Sequence, residues 1–294
     1  MMETVVFEIL PPPATWSQPK IAAYCENICY LLRQQNIRSV SIPEVVQEHR
    51  NYARTLPCVD KIDALDFFNG LKVYAPHLVP ILYKVCVKMD KVDFLPWLNK
   101  VYAHGVRHVV LVGGEDPHMT YRGYSVLEAV EVIKRHFPQM KVGAITIFTR
   151  PDEVARILDK IKAGIDFFVS QIVFEAANLK YVLHSVSKLC KKENIILPRI
   201  YISLALASKG RDVEFMQWLG VEFPVAVLNC LQAVADENVE MESLETIDMM
   251  LDEIFHFSQK EQLDLGFNIE HIMYANLYSC QKLMSTIKER IAEA

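Results

Sequence analysis

Short apolar runs of strand length alternate with amphipathic helical segments along nearly the whole of the 294-residue chain, and this alternation restricts the fold more than any other feature. A strand, a helix and a returning strand place the two strands side by side and parallel, so the pattern predicts a parallel sheet covered by helices. The expected strands are Thr4 to Leu10, Arg38 to Ile42, Leu78 to Val87, Arg107 to Val112, Lys141 to Ile147, Asp166 to Val173, Arg199 to Leu204 and Leu263 to Asn268. The expected helices are Ile21 to Gln35, Ile62 to Leu71, Phe94 to His104, Ser125 to Arg135, Pro151 to Ala163, Leu179 to Lys192, Val213 to Leu219 and Leu244 to Phe257. Eight such units fit a closed β8α8 (TIM) barrel of the α/β class, with residues 1–294 read as one domain. An extra helix near Pro224 to Val234 precedes strand eight, and a C-terminal helix spans Ile272 to Ile291. An open doubly wound sheet has the same periodicity. That alternative lacks its fingerprint here, because no GxGxxG follows an early strand and the adjacent pair Gly113-Gly114 comes after the fourth.

Composition removes several classes of function. The chain is 51% hydrophobic and 23% charged, with a formal net charge of -5, so it offers no basic field for nucleic acid. No uncharged apolar run approaches the ~18 residues of a membrane span, and the N-terminus has no signal-like core. A cytoplasmic location with no membrane contact is the expectation. Seven cysteines without a CxxC pair argue against a disulfide framework and a zinc site, so no metal is expected. Cys25 and Cys29 share a helix face, where core packing is the simpler reading.

In a barrel of this kind chemistry sits at the C-terminal ends of the strands. Glu8 lies there, in the run Val5-Val6-Phe7-Glu8-Ile9-Leu10 that Pro11-Pro12-Pro13 terminates. Both faces of this strand are apolar apart from the one acid. Pairing with a buried cation and catalysis are equally good readings of Glu8 from this segment alone. The fourth strand leads into Gly113-Gly114-Glu115-Asp116-Pro117, which reads as a turn or as a close approach to a ligand with two acids beside it. The sixth carries Gln171 among apolar neighbours. It reads either as a ligand reader or as a core amide satisfied by backbone.

Together these motifs resemble the methylenetetrahydrofolate reductase family. The carriers are Val6-Phe7-Glu8 with its prolines, Ala75-Pro76-His77-Leu78, Gly105-Val106-Arg107-His108 leading to Gly114-Glu115, and Ala163-Gly164 leading to Phe168-Val169-Ser170-Gln171 and Phe174. The resemblance implies an oxidoreductase that reduces 5,10-methylenetetrahydrofolate to 5-methyltetrahydrofolate with NAD(P)H. It makes Glu8 the general acid on the departing nitrogen, a role that burial of the carboxyl would favour by raising its pKa. It places Glu115 where an aspartate tunes the folate environment, with Asp116 its substitute if the turn shifts by one. It gives Gln171 and Phe174 to the pterin.

The same resemblance assigns His77, Gly113, Gly114, Ala144, Thr146, Arg150 and Lys160 to a flavin. Several of these positions depart from the family pattern. Gly113 stands in place of an arginine, Arg150 replaces a histidine, and Arg156 and Asp159 replace the companions of Lys160. Direct transfer from NAD(P)H is therefore the expectation and FAD the alternative. A homo-oligomer or a protein partner is compatible with the sequence. Two other readings compete: a redox-inactive folate-binding or regulatory subunit acting through a partner protein, and a barrel lyase or aldolase using Glu8 with Lys84 as its inward lysine.

Overall fold

Pleat alternation sorts the apolar residues of each strand into two sets, one for a barrel interior and one for a helical jacket, and both sets find their partners. The structure is a computed structural model that describes residues 2–48, 58–115 and 118–293. Its strands are β1 (Val5–Glu8), β2 (Ser39–Ile42), β3 (Val79–Val85), β4 (His108–Val112), β5 (Lys141–Thr146), β6 (Phe167–Ser170), β7 (Arg199–Leu204) and β8 (Leu265–Glu270). They close into one parallel barrel in chain order, with β8 pairing back to β1. The helices are α1 (Gln18–Gln34), α2 (Ala64–Tyr74), α3 (Lys91–Ala103), α4 (Val126–His136), α5 (Glu153–Ala163), α6 (Ala177–Glu193), α7 (Gly210–Trp218), α8 (Val225–Ala233), α9 (Val239–Glu261) and α10 (Leu277–Glu293). Both α7 and α8 are additions between β7 and α9, so two extra helices stand ahead of β8.

Local chemistry sets the element ends. Asp63 caps α2 by accepting the amides of Leu65 and Asp66, and Ser125 with Glu128 forms a reciprocal capping box on α4. Gly164 ends α5 with a φ of 102°, where a side chain would be strained. Several element ends differ from the sequence expectation. Helix α3, expected from Phe94, starts at Lys91 and so carries Pro96 inside. Helix α9 runs on to Glu261 and Gln262 adopts the left-handed region, which delays β8 by two residues. Strand β6 stops at Ser170, leaving Gln171 beyond it.

The outward set, including Phe7, Val40, Leu82, Leu111, Ala144, Phe168 and Phe267, packs under the helices as the main core. The inward set, Val6, Ile81, Tyr83, Val110, Phe167, Val169 and Tyr201, fills the barrel. Glycine makes room for the two largest inward rings. Gly143 is in register with Phe167 and Gly266 with Tyr201, and a Cβ at either glycine would meet the facing ring at 2.4 Å and 2.6 Å. Above this apolar plug, toward the strand C-termini, the inward positions turn polar: Glu8, Ser41, Ser203, Asn268 and Glu270. Among the described residues no helix is long and apolar enough to cross a membrane, and no group of three or more His, Cys, Asp or Glu is placed to hold a metal ion.

Candidate active site

Parallel pairing between β1 and β8 sets Glu8 opposite Glu270, one strand apart and on the same inward face. Asn268 joins them. Its side-chain Nδ2 donates to Glu8 Oε2 at 3.2 Å, to Ser203 Oγ at 3.1 Å and toward Glu270 Oε1 at 3.5 Å, while its Oδ1 accepts from Ser41 Oγ at 3.0 Å. The backbone locks the same corner, since Ile9 N donates to Ser41 O and His271 N donates to Glu8 O. The site is therefore built on rigid strands rather than on loops.

Both carboxyls are half-buried, reachable from the barrel mouth and otherwise surrounded by protein. Desolvation pushes Glu8 up to about 7, against the pull of Asn268, Tyr83 and Ser41 in the other direction. Glu270 is raised well above the ordinary carboxylate range by burial first and by the charge of Glu8 second. Tyr83 lies beside the pair. Its hydroxyl is buried without a hydrogen bond of normal geometry, and burial together with both carboxylates keeps it neutral. A carboxyl that titrates near neutrality is matched to general acid work.

The raised acid has a consequence for stability. A group whose folded pKa lies above its unfolded value stabilises fully below about 4.5, and that contribution is lost as pH rises through about 7. Glu8→Gln, uncharged throughout, is expected to remove this slope. At pH 8 the variant should be more stable than the parent by on the order of 2 kcal/mol, a figure reduced because the carboxyl is partly solvated. Urea unfolding at pH 5 and pH 8 checks this, and equal differences at both pH values would remove the assignment.

The structure brings only part of the sequence-derived site together. Glu115 is held apart from Glu8: Lys88 Nζ lies 2.6 Å from its Oε1 and the Tyr121 hydroxyl donates to its Oε2 at 3.2 Å. Asp116 lies outside the described residues. Gln171 donates its Nε2 to Leu219 O at 3.0 Å and accepts the Ile172 amide at 3.1 Å, so neighbouring backbone already satisfies it. Phe174 is buried and stacks on Phe223 at 4.3 Å between centroids. The pocket beside Gln171 and Phe174 offers about 20 Å³, room for roughly one water. A larger cavity of about 280 Å³ lies at the ends of β2 and β3, lined by Glu44, Lys61, Tyr83, Lys84 and Trp97 among others. Through Tyr83 it adjoins the surroundings of Glu8.

His77 requires correction. It is exposed in the turn leading into β3, at the opposite end of the barrel from Glu8, because helix α2 ends at Tyr74 and the strand begins only at Val79. Lys84 also departs from its expected inward position. Tyr83 takes the inward phase, so Lys84 turns outward, 2.5 Å from Glu44 and 5.3 Å above the Trp97 ring. That geometry leaves the aldolase reading without its lysine.

The flavin-assigned positions do not fit an anionic cofactor. Ala144 faces the helical core and is fully buried. Thr146 Oγ1 donates to Glu153 Oε1 at 2.8 Å, and the Ile147 amide donates to the same oxygen at 3.1 Å. Arg150 lies 3.6 Å and Lys160 3.9 Å from the Glu153 carboxylate, whose side chain is fully buried, and Lys160 donates to Ile145 O. Arg150 and Lys160, which the resemblance assigns to a flavin, are thus already partly neutralised by an internal carboxylate. Gly113 and Gly114 do stand at the end of β4, but a Cβ at Gly114 would strike the Tyr121 ring at 2.3 Å, so this glycine accommodates a side chain of the chain itself.

Sequence reasoning missed Glu270, Asn268, Ser41, Ser203 and Glu153. The signal for the first two was present: polar residues alternating with Phe267 and Ile269, the same anomaly that singles out Glu8.

Fold and site define a parallel eight-stranded βα barrel with an acid pair at its C-terminal mouth. The chain belongs to the methylenetetrahydrofolate reductase family, whose model matches residues 75–267. Among solved structures, an uncharacterised protein from Clostridium thermocellum, described as binding two copies of 5-methyl-5,6,7,8-tetrahydrofolic acid, superposes with a TM-score of 0.81 at 22% identity, covering 97% of this chain and 94% of that chain. A long-chain alkane monooxygenase matches at TM-score 0.53 and 9% identity, covering 98% and 91%. DmoA from Hyphomicrobium sulfonivorans matches at 0.54 and 8%, covering 98% and 88%. At these identities the likeness is one of fold. No curated protein matches the sequence.

Proposed function

We propose that this chain binds a reduced folate at the C-terminal mouth of its barrel and reduces the 5,10-methylene bridge to a methyl group, with hydride from NADH or NADPH. The observation that carries the reading is Glu8: a carboxyl pushed up to about 7, in a family whose reaction needs a proton on the departing nitrogen. The folate-binding relative of like fold supports the choice of ligand. Glu8 holds the proton, Asn268 orients its carboxyl, and the apolar plug below keeps water out from beneath. Glu115 and, by the resemblance, Asp116 enter as groups around the substrate, while Phe174 would reach it only by parting from Phe223 and Gln171 would read a pterin edge only by giving up Leu219.

The occupied cation cluster at Glu153 favours hydride transfer without a flavin. Purified protein is expected to show no visible flavin absorbance, and none should develop after incubation with FAD and desalting. A bound flavin spectrum would overturn this part of the proposal.

The deciding measurement mixes the protein with NADH or NADPH and methylenetetrahydrofolate and follows nicotinamide absorbance. Oxidation supports the reductase. The same Glu153 cluster also suits a second reading, a folate-binding subunit without redox activity. Folate binding with no nicotinamide oxidised, with or without added flavin, would favour that reading.

A further inference from the structure

We propose that Glu8 and Glu270 work as one proton-sharing pair, with Glu270 a positioning residue that keeps Glu8 supplied with a proton, and that the pair opens an N–C–N bridge without any reductant. The sharing stands on the geometry of the pair alone; the bridge-opening step rests on the folate reading above.

Three observations converge on sharing. The two carboxyls are in register on adjacent strands, on the same inward face. Asn268 Nδ2 has three acceptors in reach, on Glu8, Ser203 and Glu270, yet an amide nitrogen carries two hydrogens. The amide therefore cannot serve both carboxyls and Ser203 at once, and it does not by itself compensate two negative charges at this place. Thirdly, no ion pair among the described residues involves either acid. The nearby strand-end lysines are taken, Lys84 by Glu44 and Lys88 by Glu115.

The groups that face the pair are Ser41 from β2, Tyr83 from β3, Ser203 from β7 and Asn268 from β8. Tyr83 is the one titratable member, and it stays neutral. His271 follows Glu270 but its ring packs outward near Phe7, Tyr24 and Tyr274, and burial lowers it to about 4. Two acids this close with no cation cannot both ionise near neutrality, so one proton stays with the pair. Such a pair offers an acid and a negative charge at once.

The chemistry that uses both is the opening of an aminal. The pair gives its proton to the departing nitrogen, and the C–N bonding electrons go to that nitrogen as the bond breaks. The bridging carbon remains on the other nitrogen as a cationic iminium, beside a pair now one charge more negative. Water adds to the iminium and returns one proton to the pair; the second C–N bond then breaks with its electrons on nitrogen, the hydroxyl proton passes to that nitrogen, and formaldehyde is released, the reverse sequence incorporating it. No oxidant or reductant enters. The protein alone should therefore exchange the methylene of methylenetetrahydrofolate with isotopically labelled formaldehyde.

The sharing is tested without ligand by infrared titration of the protonated-carboxyl band in the parent, Glu8→Gln and Glu270→Gln. The parent should lose the band in two steps, and each variant in one step at least one pH unit below the parent's upper step. A parent in which both acids titrate at the positions found in the single variants overturns the sharing. The role of Glu270 is read in the pH profile of formaldehyde exchange. Glu270→Gln should stay within about threefold of the parent at pH 6 and fall about tenfold at pH 8, because its upper limb moves down by a pH unit. Glu270→Asp, which keeps a carboxyl, should restore the upper limb. A uniform loss at every pH with no shift of the limb would make Glu270 merely structural and overturn its assignment. If infrared shows two steps but the parent exchanges no formaldehyde, the bridge-opening step is overturned. Should tryptophan fluorescence in that case report no folate binding, the folate reading fails with it, while the shared proton stands.

Discussion

Glu8→Gln is expected to lower nicotinamide oxidation by about 10³-fold while leaving folate affinity within about threefold. The amide matches the carboxyl in size and keeps its place opposite Asn268, so the strand end and the mouth retain their shape. What it lacks is a proton of useful acidity. A group that acts only as the bridge opens should affect kcat and kcat/KM alike and leave binding untouched. Steady-state rates with both nicotinamides, paired with folate titration by tryptophan fluorescence, separate these effects. Full activity in the variant would remove Glu8 as the donor, and loss of folate binding with loss of rate would assign it to recognition instead.

Much of the barrel was readable because strand and helix periods differ and because each strand buries both faces. Val5, Phe7 and Ile9 declare one face of β1 and Val6 the other, so Glu8 stands out against them whatever the register. The closure of the sheet was not written in periodicity and came from count and from the absence of a nucleotide-binding glycine motif. Strand ends were harder to place. They depend on where neighbouring chain segments stop, as β8 shows: the left-handed Gln262 delays its start, and pairing with β1 carries it on to Glu270. An end drawn two residues early hid the second acid.

The site residues taken from the resemblance fared according to what surrounds them. A motif fixes where a residue stands in the chain, while its partners come from distant segments. Gln171 is satisfied by Leu219, which belongs to the chain beyond β7. Glu115 is satisfied by Lys88, which follows β3. Lys160 and Arg150 kept the charges of an anion site, and Glu153, a few residues away, supplied the anion. Reading the chain for unpaired polar positions, rather than for family motifs, points to Glu8, Asn268 and Glu270 together.

Gly266→Ala should destabilise the fold by about 3 kcal/mol, because the added methyl has nowhere to go. Its Cβ would stand 2.6 Å from the Tyr201 ring and 2.9 Å from the Thr4 carbonyl. Tyr201 cannot retreat. It is 1% exposed, its hydroxyl donates to Glu3 O at 3.0 Å, and its ring meets Phe167 edge-on at 6.1 Å. Phe167 in turn covers Gly143. Thermal unfolding should show a Tm lower by roughly 6 °C or more. Tyr201→Leu costs ring packing but opens the space, so Gly266→Ala in that background should be milder by more than about 1 kcal/mol. Equal penalties in both backgrounds would mean that the ring is not what the glycine accommodates. The position also bears on function, since Asn268 and Glu270 lie two and four residues further along the same strand. A β8 displaced by even a few tenths of an ångström would part Asn268 from Glu8, so whatever fraction of the variant folds should also lose rate.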